Sequence, residues 1–146
     1  MLTGSYLWGL FCLGILYAHA GSLTVHLSGL ETREGTIHAA LYSGRSAYDD
    51  EEINPDLGKV LSDLSGPSCT LQWVDLPPGT YALAIYHDIN DNGKLDTNAF
   101  GIPTEPYAFS NNPQVKWRRP RFREVSFPVD SSDTTLELRL SRWSDR

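Results

Sequence analysis

Hydrophobic and polar residues alternate along most of the chain that follows residue 20. In the first alternating segment Leu23, Val25 and Leu27 share one face, and in the second Ile37 and Ala39 do the same. A period of two predicts β-strands, and the Gly, Pro, Ser and Asp residues between the segments predict turns. The segments are SLTVHLSGL (22–30), GTIHAALYSG (35–44), CTLQWVDL (69–76), TYALAIYHD (80–88), REVSFPV (123–129) and TLELRLSRW (135–143).

These segments predict an all-β fold, an antiparallel Greek-key β-sandwich of about seven strands, because no long stretch has helical periodicity. The strand from Ala82 to His87 is apolar on both faces, so we expect it to be central in a sheet. Tyr81 opens this strand after a Pro-Gly turn, and we expect its hydroxyl to bond the upstream backbone. Residues 46–64 carry an acidic run that suits a helix start, but Pro55 interrupts it. We predict a loop with one helical turn there.

The N-terminal segment SYLWGLFCLGILYAHA (5–20) has the features of a secretory signal peptide. Its apolar run, Tyr6 to Ala18, is shorter than the roughly 20 residues that span a bilayer. Ala18 and Ala20 are small residues at the two positions that a signal peptidase reads. No Lys or Arg precedes the run, which departs from the usual pattern. We predict cleavage after Ala20, an exported protein (periplasmic or extracellular) and no transmembrane span after cleavage; an uncleaved anchor is the alternative.

Length, charge and cysteines narrow the class of protein further. The chain has 146 residues and a formal net charge of −6, which suits a single domain over residues 21–146. The acidic balance argues against nucleic acid as a partner, because nucleic-acid-binding proteins carry broad basic surfaces. After cleavage Cys69 is the only cysteine, so no internal disulfide can form, and its alternating segment predicts a buried structural thiol. We expect a monomer.

The sequence DINDNGKLD (88–96) spaces its oxygen-bearing side chains in the manner of a calcium loop. The candidate metal ligands, at its first, third, fifth and ninth positions, are Asp88, Asn90, Asn92 and Asp96. Gly93 permits the bend, and the Lys94 carbonyl would be a further ligand. The bidentate glutamate of an EF-hand is missing, so the affinity for calcium would be weak, about 10⁻⁴–10⁻³ M. The alternative, which we favour, is a metal-free turn closed by Asx hydrogen bonds around Asn-Gly.

The segment NAFGIPTEPYAFSNN (98–112) follows without periodicity. Such a segment in a small protein is either functional or ordered by its own side chains. We expect Phe100, Tyr107 and Phe109 to pack it down, and Glu105 to reach the preceding loop as an additional carboxylate.

The segment KWRRPRFRE (116–124) concentrates basic residues in an acidic protein, with Trp117 and Phe122 between them. We expect the basic residues to pair with the protein's own acids, or to form a loose patch for anionic glycans or lipid head groups.

Residues 79–112, GTYALAIYHDINDNGKLDTNAFGIPTEPYAFSNN, closely resemble the core signature of the bacterial family catalogued as domain of unknown function 2141. That family pairs an HD-x-N-x-NGKLD loop with an FG-x-P-x-E-x-Y-x-FSNN segment, and Pro106 stands where it often has glycine. The resemblance covers about residues 23–140. It implies an exported single-domain β-sandwich, similar to transthyretin-like and carboxypeptidase-regulatory-like domains, with the two loops close together at one end. The matching residues are His87, Asp88, Asn90, Asn92 to Asp96, Phe100, Gly101, Pro103, Glu105, Tyr107, Phe109, Ser110, Asn111 and Asn112.

Polar loops on a rigid sandwich favour a non-enzymatic binding module with its site at residues 87–112. We expect no catalytic residue, and a small molecule, a glycan or an envelope protein as partner. One alternative is a hydrolase with His87 as base beside Asp88 and Glu105, but no nucleophile elbow or metal-binding helix motif accompanies them. A structural envelope protein is another. The predicted ligand or structural residues are His87, Gly93, Lys94, Glu105, Tyr107, Ser110, Asn111 and Asn112.

Overall fold

The computed structural model of the protein describes residues 20–145, so the predicted signal peptide lies outside the described residues, apart from Ala20. Among the residues described, no helix has the length and apolar character needed to cross a membrane. In chain order the elements are β1 (Gly21–Ser28), β2 (Thr36–Ser43), α1 (Gly44–Asp49), a 3-10 turn (Pro55–Leu57), β3 (Gly58–Leu61), β4 (Ser68–Leu76), β5 (Gly79–Asp88), β6 (Tyr107–Phe109), α2 (Phe122–Val125), β7 (Phe127–Val129), β8 (Asp133–Arg139) and a second 3-10 turn (Trp143–Asp145).

The strands form two sheets. The smaller has the order β4-β1-β8 and the larger the order β3-β2-β5-β6, with β7 also paired to β5. One edge of β5 pairs with β2. The opposite edge of β5 pairs with β6 and with β7, which lie end to end along it. The strand pairs are antiparallel except β1–β8, which is parallel. The mostly-β fold in two sheets is therefore confirmed, but the prediction that all strands are antiparallel is wrong for β8. That strand is reached by a crossover from the other sheet, and a crossover permits parallel entry where a hairpin does not.

The core lies between the sheets and contains the residues that the alternation predicts. Leu23, Val25 and Leu27 of β1 are fully buried, and they share one apolar cluster with Ile37 and Leu41 of β2. Burying a side chain of this size stabilises the fold by about 1.5–3 kcal/mol. The period of two therefore determines which face of each strand turns inward.

The predicted central strand is confirmed. β5 has neighbours on both edges, and Tyr81, Ala82 and Leu83 are buried consecutively, so both of its faces are covered. Residues 46–64 differ from the prediction. They contain the end of α1, a 3-10 turn and also the strand β3, which pairs with β2. A four-residue strand is too short to be recognised from alternation in its own sequence. Its extended conformation depends on pairing with β2.

The tyrosine corner is present. The Tyr81 hydroxyl donates a hydrogen bond to the Pro77 carbonyl oxygen at 2.8 Å, and the ring is almost fully buried. We expect Tyr81→Phe to keep the fold and lower the free energy of unfolding by about 1–2 kcal/mol, because the Pro77 carbonyl loses its donor. Urea denaturation of the two proteins measures the difference. Coincident midpoints would show that this hydrogen bond contributes nothing.

Candidate functional site

The Asp/Asn loop, residues 88–96, folds around the Asp88 carboxylate at the end of β5. Asp88 is fully buried, and its two oxygens accept hydrogen bonds from the N–H groups of Asn92 (3.1 Å) and Gly93 (2.7 Å). Gly93 has a φ of 81°, a conformation that glycine adopts without steric strain. His38 of β2 places Nε2 at 3.6 Å from the same carboxylate. The buried Asp88 carboxylate thus stabilises the turn through hydrogen bonds to the backbone of the turn.

The asparagines close the outer side of the loop. The side-chain amides of Asn90 and Asn92 donate to the Asp96 carboxylate at 2.7 and 2.9 Å. Their amide oxygens accept from the backbone N–H groups of Asn92 (3.2 Å) and Lys94 (3.1 Å), which makes them Asx turns. Donation from Asn92, and then from Asn90, lowers the pKa of Asp96. The polar side chains of this loop therefore bond to one another.

Glu105 reaches the Asp/Asn loop, as expected, but it does so through the backbone. It is almost fully buried, and its two carboxylate oxygens accept from the N–H groups of Ile89 (2.8 Å) and Asp96 (3.0 Å). These two residues stand near the two ends of the loop. Glu105 is consequently a clamp that fixes the width of the loop.

Calcium binding by the Asp/Asn loop remains a prediction. Within residues 20–145 no group of three or more His, Cys, Asp or Glu side chains is arranged to hold a metal ion. We expect identical melting temperatures in chelator and in millimolar calcium, because hydrogen bonds already close the loop. A calcium site would instead add about 1.4 kcal/mol at ten times its Kd, a shift of several degrees. Magnesium would add less, and Asp88→Ala would abolish the shift. Such a result would contradict the metal-free turn.

His87 is fully buried at the end of β5. Its ring Nε2 lies 2.8 Å from the Glu34 carbonyl oxygen, so Nε2 carries the proton and donates it. The Nδ1 atom is buried and has no hydrogen-bond partner among the described residues. Asp88 and Glu105 are also buried. The three side chains on which the hydrolase alternative depends thus present almost no surface to a substrate, and each bonds to the backbone.

Ser110, Asn111 and Asn112 join separate parts of the backbone. The Ser110 hydroxyl accepts from the Leu83 N–H (3.0 Å) and donates to the Val125 carbonyl. It lies in the gap between β6 and β7 along the edge of β5. The Asn111 amide donates to the carbonyl that precedes β7 (2.9 Å), and the Asn112 amide to a carbonyl of β8 (3.1 Å). Both asparagines have positive φ, 64° and 44°, which Asn tolerates better than most residues.

Residues 96–104, here called the Phe100 loop, form a second hydrogen-bonded loop. The Asn98 N–H donates to the Ile102 carbonyl (2.9 Å), and the Asn98 side-chain oxygen accepts from the N–H groups of Phe100 and Ile102. Phe100 is 89% exposed. The prediction that Phe100 packs this segment down is therefore wrong. Asn98 orders the loop from inside, and the phenyl ring remains in solvent.

The basic segment 116–124 pairs in part with the protein's own acids, as one of its two interpretations predicted. Arg118 makes two hydrogen bonds, of 2.7 and 2.8 Å, to the Glu124 carboxylate; these, followed by the hydrogen bond from the Arg121 N–H, lower the pKa of Glu124 to about 2. Arg119 bonds to the Glu51 carboxylate (3.0 Å) and lies over the Tyr48 ring at 3.9 Å. These contacts fix the backbone on both sides of the arginines, and Trp117 beside them is 81% exposed.

An aromatic groove of about 670 Å³ lies on the face of the larger sheet that is turned away from the core. The rings along the sheet are Tyr42 of β2, Tyr86 of β5, and Tyr107 and Phe109 of β6. The Phe100 loop, the chain from Val115 to Pro120 and the ring of Trp143 line the other sides of the groove, together with Glu51, Ala84 and Leu95. Burial raises the pKa of Tyr86, and the Asp88 and Glu105 carboxylates raise it further. This phenol therefore stays protonated and can donate a hydrogen bond.

Of the predicted site residues, Tyr107 lines the groove, whereas the other predicted residues are absent from its lining. Sequence reasoning missed Tyr42, Tyr86 and Trp143 as members of a site, because all three lie outside the predicted residues 87–112. Tyr42 and Tyr86 occupy the strand positions that alternate with core residues, where a solvated sheet carries polar side chains. Aromatic residues at those positions were the available signal.

The model of one protein family matches residues 25–137, and its description is an uncharacterized protein conserved in bacteria, DUF2141. Searches of the curated proteins and of the solved structures found no match. The matched residues run from β1 into β8 and include the Asp/Asn loop, the Phe100 loop and the lining of the groove up to Pro120. Since the match covers far more than half of the sequence, the chain belongs to the DUF2141 family of uncharacterized bacterial proteins.

Proposed function

We propose that the protein is a non-enzymatic binding module that holds its ligand in the aromatic groove. The observation that carries this proposal is the exposure of Phe100 (89%) and Trp117 (81%), both of which line the groove. A large apolar side chain left in water forgoes about 1.5–3 kcal/mol of burial. Exposed apolar surface beside a concave site is typical of ligand-binding or partner-binding surfaces.

The hydrogen-bonded loops support the proposal by their position beside the groove. Glu105 accepts from the backbone at Asp96, where the Phe100 loop begins. The Arg118–Glu124 pair similarly fixes the chain next to Trp117. Both exposed rings are therefore carried by ordered backbone, which reduces the entropy lost when a ligand binds. The site predicted at residues 87–112 would act mainly as the support for one side of this groove.

Anilinonaphthalene sulfonate, an anionic aromatic dye, tests this proposal without knowledge of the natural ligand. We expect its fluorescence to rise with the folded protein, and amide NMR shifts to change at Tyr86, Tyr107 and Trp117. Trp117→Ala should weaken dye binding, whereas Val74→Ala should not, because Val74 is also an exposed hydrophobic residue (70%) but lies on β4 of the other sheet. Absence of dye binding, or shifts confined to the Asp/Asn loop, would overturn the proposal.

We also propose that the protein is exported, on the basis of its apolar N-terminal run and Ala-His-Ala junction. Mass spectrometry of the protein recovered from the envelope or medium of a producing bacterium should find Gly21 as the first residue. An intact N-terminus on that material would contradict cleavage and favour the uncleaved anchor.

We also propose that residues 21–146 form a single domain. We propose for it a Greek-key topology similar to that of transthyretin-like domains. Their support is that the chain alternates between the sheets, β1, β4 and β8 lying in one and the remaining strands in the other. Each passage between sheets adds residues to the shared core, which favours one cooperative unit. Coincident unfolding transitions by fluorescence and by circular dichroism would agree with this, and two separate transitions would contradict it.

A further inference from the structure

The aromatic groove continues across the larger sheet. A second cleft, of about 410 Å³, adjoins it, shares part of its floor and extends over β2 to β3. The strand register places two rows of side chains across this face. The first row is Val60, His38, Tyr86 and Tyr107, and the second is Gly58, Ala40, Ala84 and Phe109. Because most residues of the second row are small, a depression crosses all four strands beside the rings of the first.

The length of this depression suits an extended ligand. Four neighbouring strands span about 14 Å, the length of about five residues of a polyproline II segment. Exposed apolar side chains accompany the depression over its whole course and continue into the groove. Four of the five large hydrophobic residues that are exposed in the described chain line the two clefts, namely Ile53, Val60, Phe100 and Trp117.

The charged side chains beside the two clefts already have partners within the protein. Arg118 pairs with Glu124, Arg119 pairs with Glu51, the Lys116 ammonium lies 4.4 Å from the centre of the Trp143 ring, and the Lys59 ammonium lies over the buried ring of Trp73. A charged ligand would lose water here and meet no unpaired charge of opposite sign. The complement of this lining is therefore an uncharged ligand.

Two hydrogen-bond donors in the groove lack a partner. The Tyr86 hydroxyl and the Trp117 indole Nε1–H line the groove and make no hydrogen bond to the described residues. Ring contacts fix both donors in place. The His38 ring stacks on Tyr86 at 4.9 Å, and the Trp143 ring packs edge-on against Trp117 at 4.9 Å. A ligand with carbonyl oxygens would satisfy these donors.

Side-chain acceptors, by contrast, are scarce in the two clefts. Among the described residues that line them there is no Asp, Asn, Gln, Ser or Thr, and the one carboxylate, that of Glu51, accepts from Arg119. An oligosaccharide could stack on the rings, but each of its hydroxyls is also a donor. The lining therefore favours a ligand that is rich in acceptors and poor in donors.

A proline-rich segment has this combination of properties. Proline has no N–H group, and the carbonyls of a polyproline II helix are free because that helix has no internal hydrogen bonds. Aromatic-lined grooves bind such segments, whose conformation is already formed before binding.

We infer that the groove binds an uncharged, proline-rich segment of another protein in the polyproline II conformation. Its pyrrolidine rings lie on the aromatic floor, and its carbonyls accept from Tyr86 and Trp117. This inference rests on the proposed function, because it uses the same groove. It adds the class of partner that the groove selects.

The test compares three uncharged probes. Decaproline with blocked ends adopts polyproline II, a blocked decamer of alternating glycine and serine is flexible and has N–H donors, and cellohexaose has flat rings that carry hydroxyls. We expect decaproline to displace anilinonaphthalene sulfonate and to bind at least about tenfold more tightly than either control in an NMR titration, a difference of about 1.4 kcal/mol or more.

Variants then locate the binding. Tyr86→Phe keeps the ring and removes the donor, so it should weaken decaproline binding about fivefold. Tyr81→Phe makes the same change outside both clefts and should leave the affinity unchanged. Trp117→Ala should weaken binding about tenfold, and Val74→Ala, on the other sheet, should not change it. A thermal melt checks that each variant is folded at the temperature of the titration.

Each contrary result has a distinct meaning. If the dye binds the groove but decaproline neither binds nor displaces it, the inference is overturned while the proposed function stands. Cellohexaose binding as tightly as decaproline would assign a neutral sugar, and equal binding of the glycine-serine peptide would remove the role of polyproline II; either result overturns the inference. Unchanged affinity of both Tyr86→Phe and Trp117→Ala would place the peptide elsewhere and would also overturn it. So would a dimer in sedimentation that Trp117→Ala dissociates, because a second copy would then occupy the groove.

Discussion

Replacing Asp88 with alanine should lower the free energy of unfolding by at least about 3 kcal/mol and the melting temperature by at least roughly 10 °C. The carboxylate is fully buried and accepts from the N–H groups of Asn92 and Gly93. A hydrogen bond to a charged acceptor contributes about 1.5–3 kcal/mol, and both are lost at once. Urea denaturation of the two proteins measures the change.

The matched control for this substitution is Asp63→Ala, because Asp63 is an exposed aspartate outside the Asp/Asn loop. A surface substitution of this kind should change the free energy of unfolding by no more than about 0.5 kcal/mol. If Asp88→Ala costs no more than Asp63→Ala does, the buried carboxylate is not what holds the turn.

Glu105→Gln should cost about 2–3 kcal/mol although it preserves the shape of the side chain. The Glu105 carboxylate has an acceptor oxygen for each of two N–H groups, those of Ile89 and Asp96. A glutamine amide keeps one oxygen and turns an NH₂ group toward the other N–H, so two donors face each other and one is left unsatisfied. Urea denaturation again gives the change in the free energy of unfolding.

Glu52→Gln makes the same chemical change at an exposed position and should be nearly neutral. The double variant Asp88→Ala, Glu105→Gln should lose less stability than the two single losses added together. Both carboxylates clamp the same loop, so once one clamp is lost the other has less ordered structure to hold. Strictly additive losses would contradict this coupling.

These contacts give the polar signature residues a physical role. Asp88, Glu105, Ser110, Asn111 and Asn112 all direct side-chain atoms to backbone groups, and all except Asp88 thereby bond to another segment of the chain. Several of those segments lie next to the aromatic groove. A signature built from such residues preserves the geometry of loops, and the side chains left for a ligand are the apolar and aromatic ones beside them.

The alternation of residues along the chain was sufficient to predict the β class and the inward face of most strands, and the apolar residues on both faces of β5 predicted its central position. Each of these properties depends on local sequence, because successive side chains of a strand point to opposite faces and the apolar face must leave water. The Tyr81 corner was predictable for the same reason, since its hydroxyl reaches a carbonyl only four residues away along the chain. In the Asp/Asn loop, the Asx turns were an explicit alternative because they too are local.

Only the tertiary structure decided which strand edges meet and what the outer face of the larger sheet carries. Alternation specifies faces but not neighbours, so neither the strand β3 nor the parallel entry of β8 was predictable. The groove combines β2, β5 and β6 with the Phe100 loop and Trp143, which are far apart in sequence. The exposure of Phe100 was not predictable either. A phenylalanine in a non-periodic segment has no alternation to indicate whether it faces the core or the solvent. Its position depends on the hydrogen bonds of Asn98 and Glu105, which order the surrounding loop.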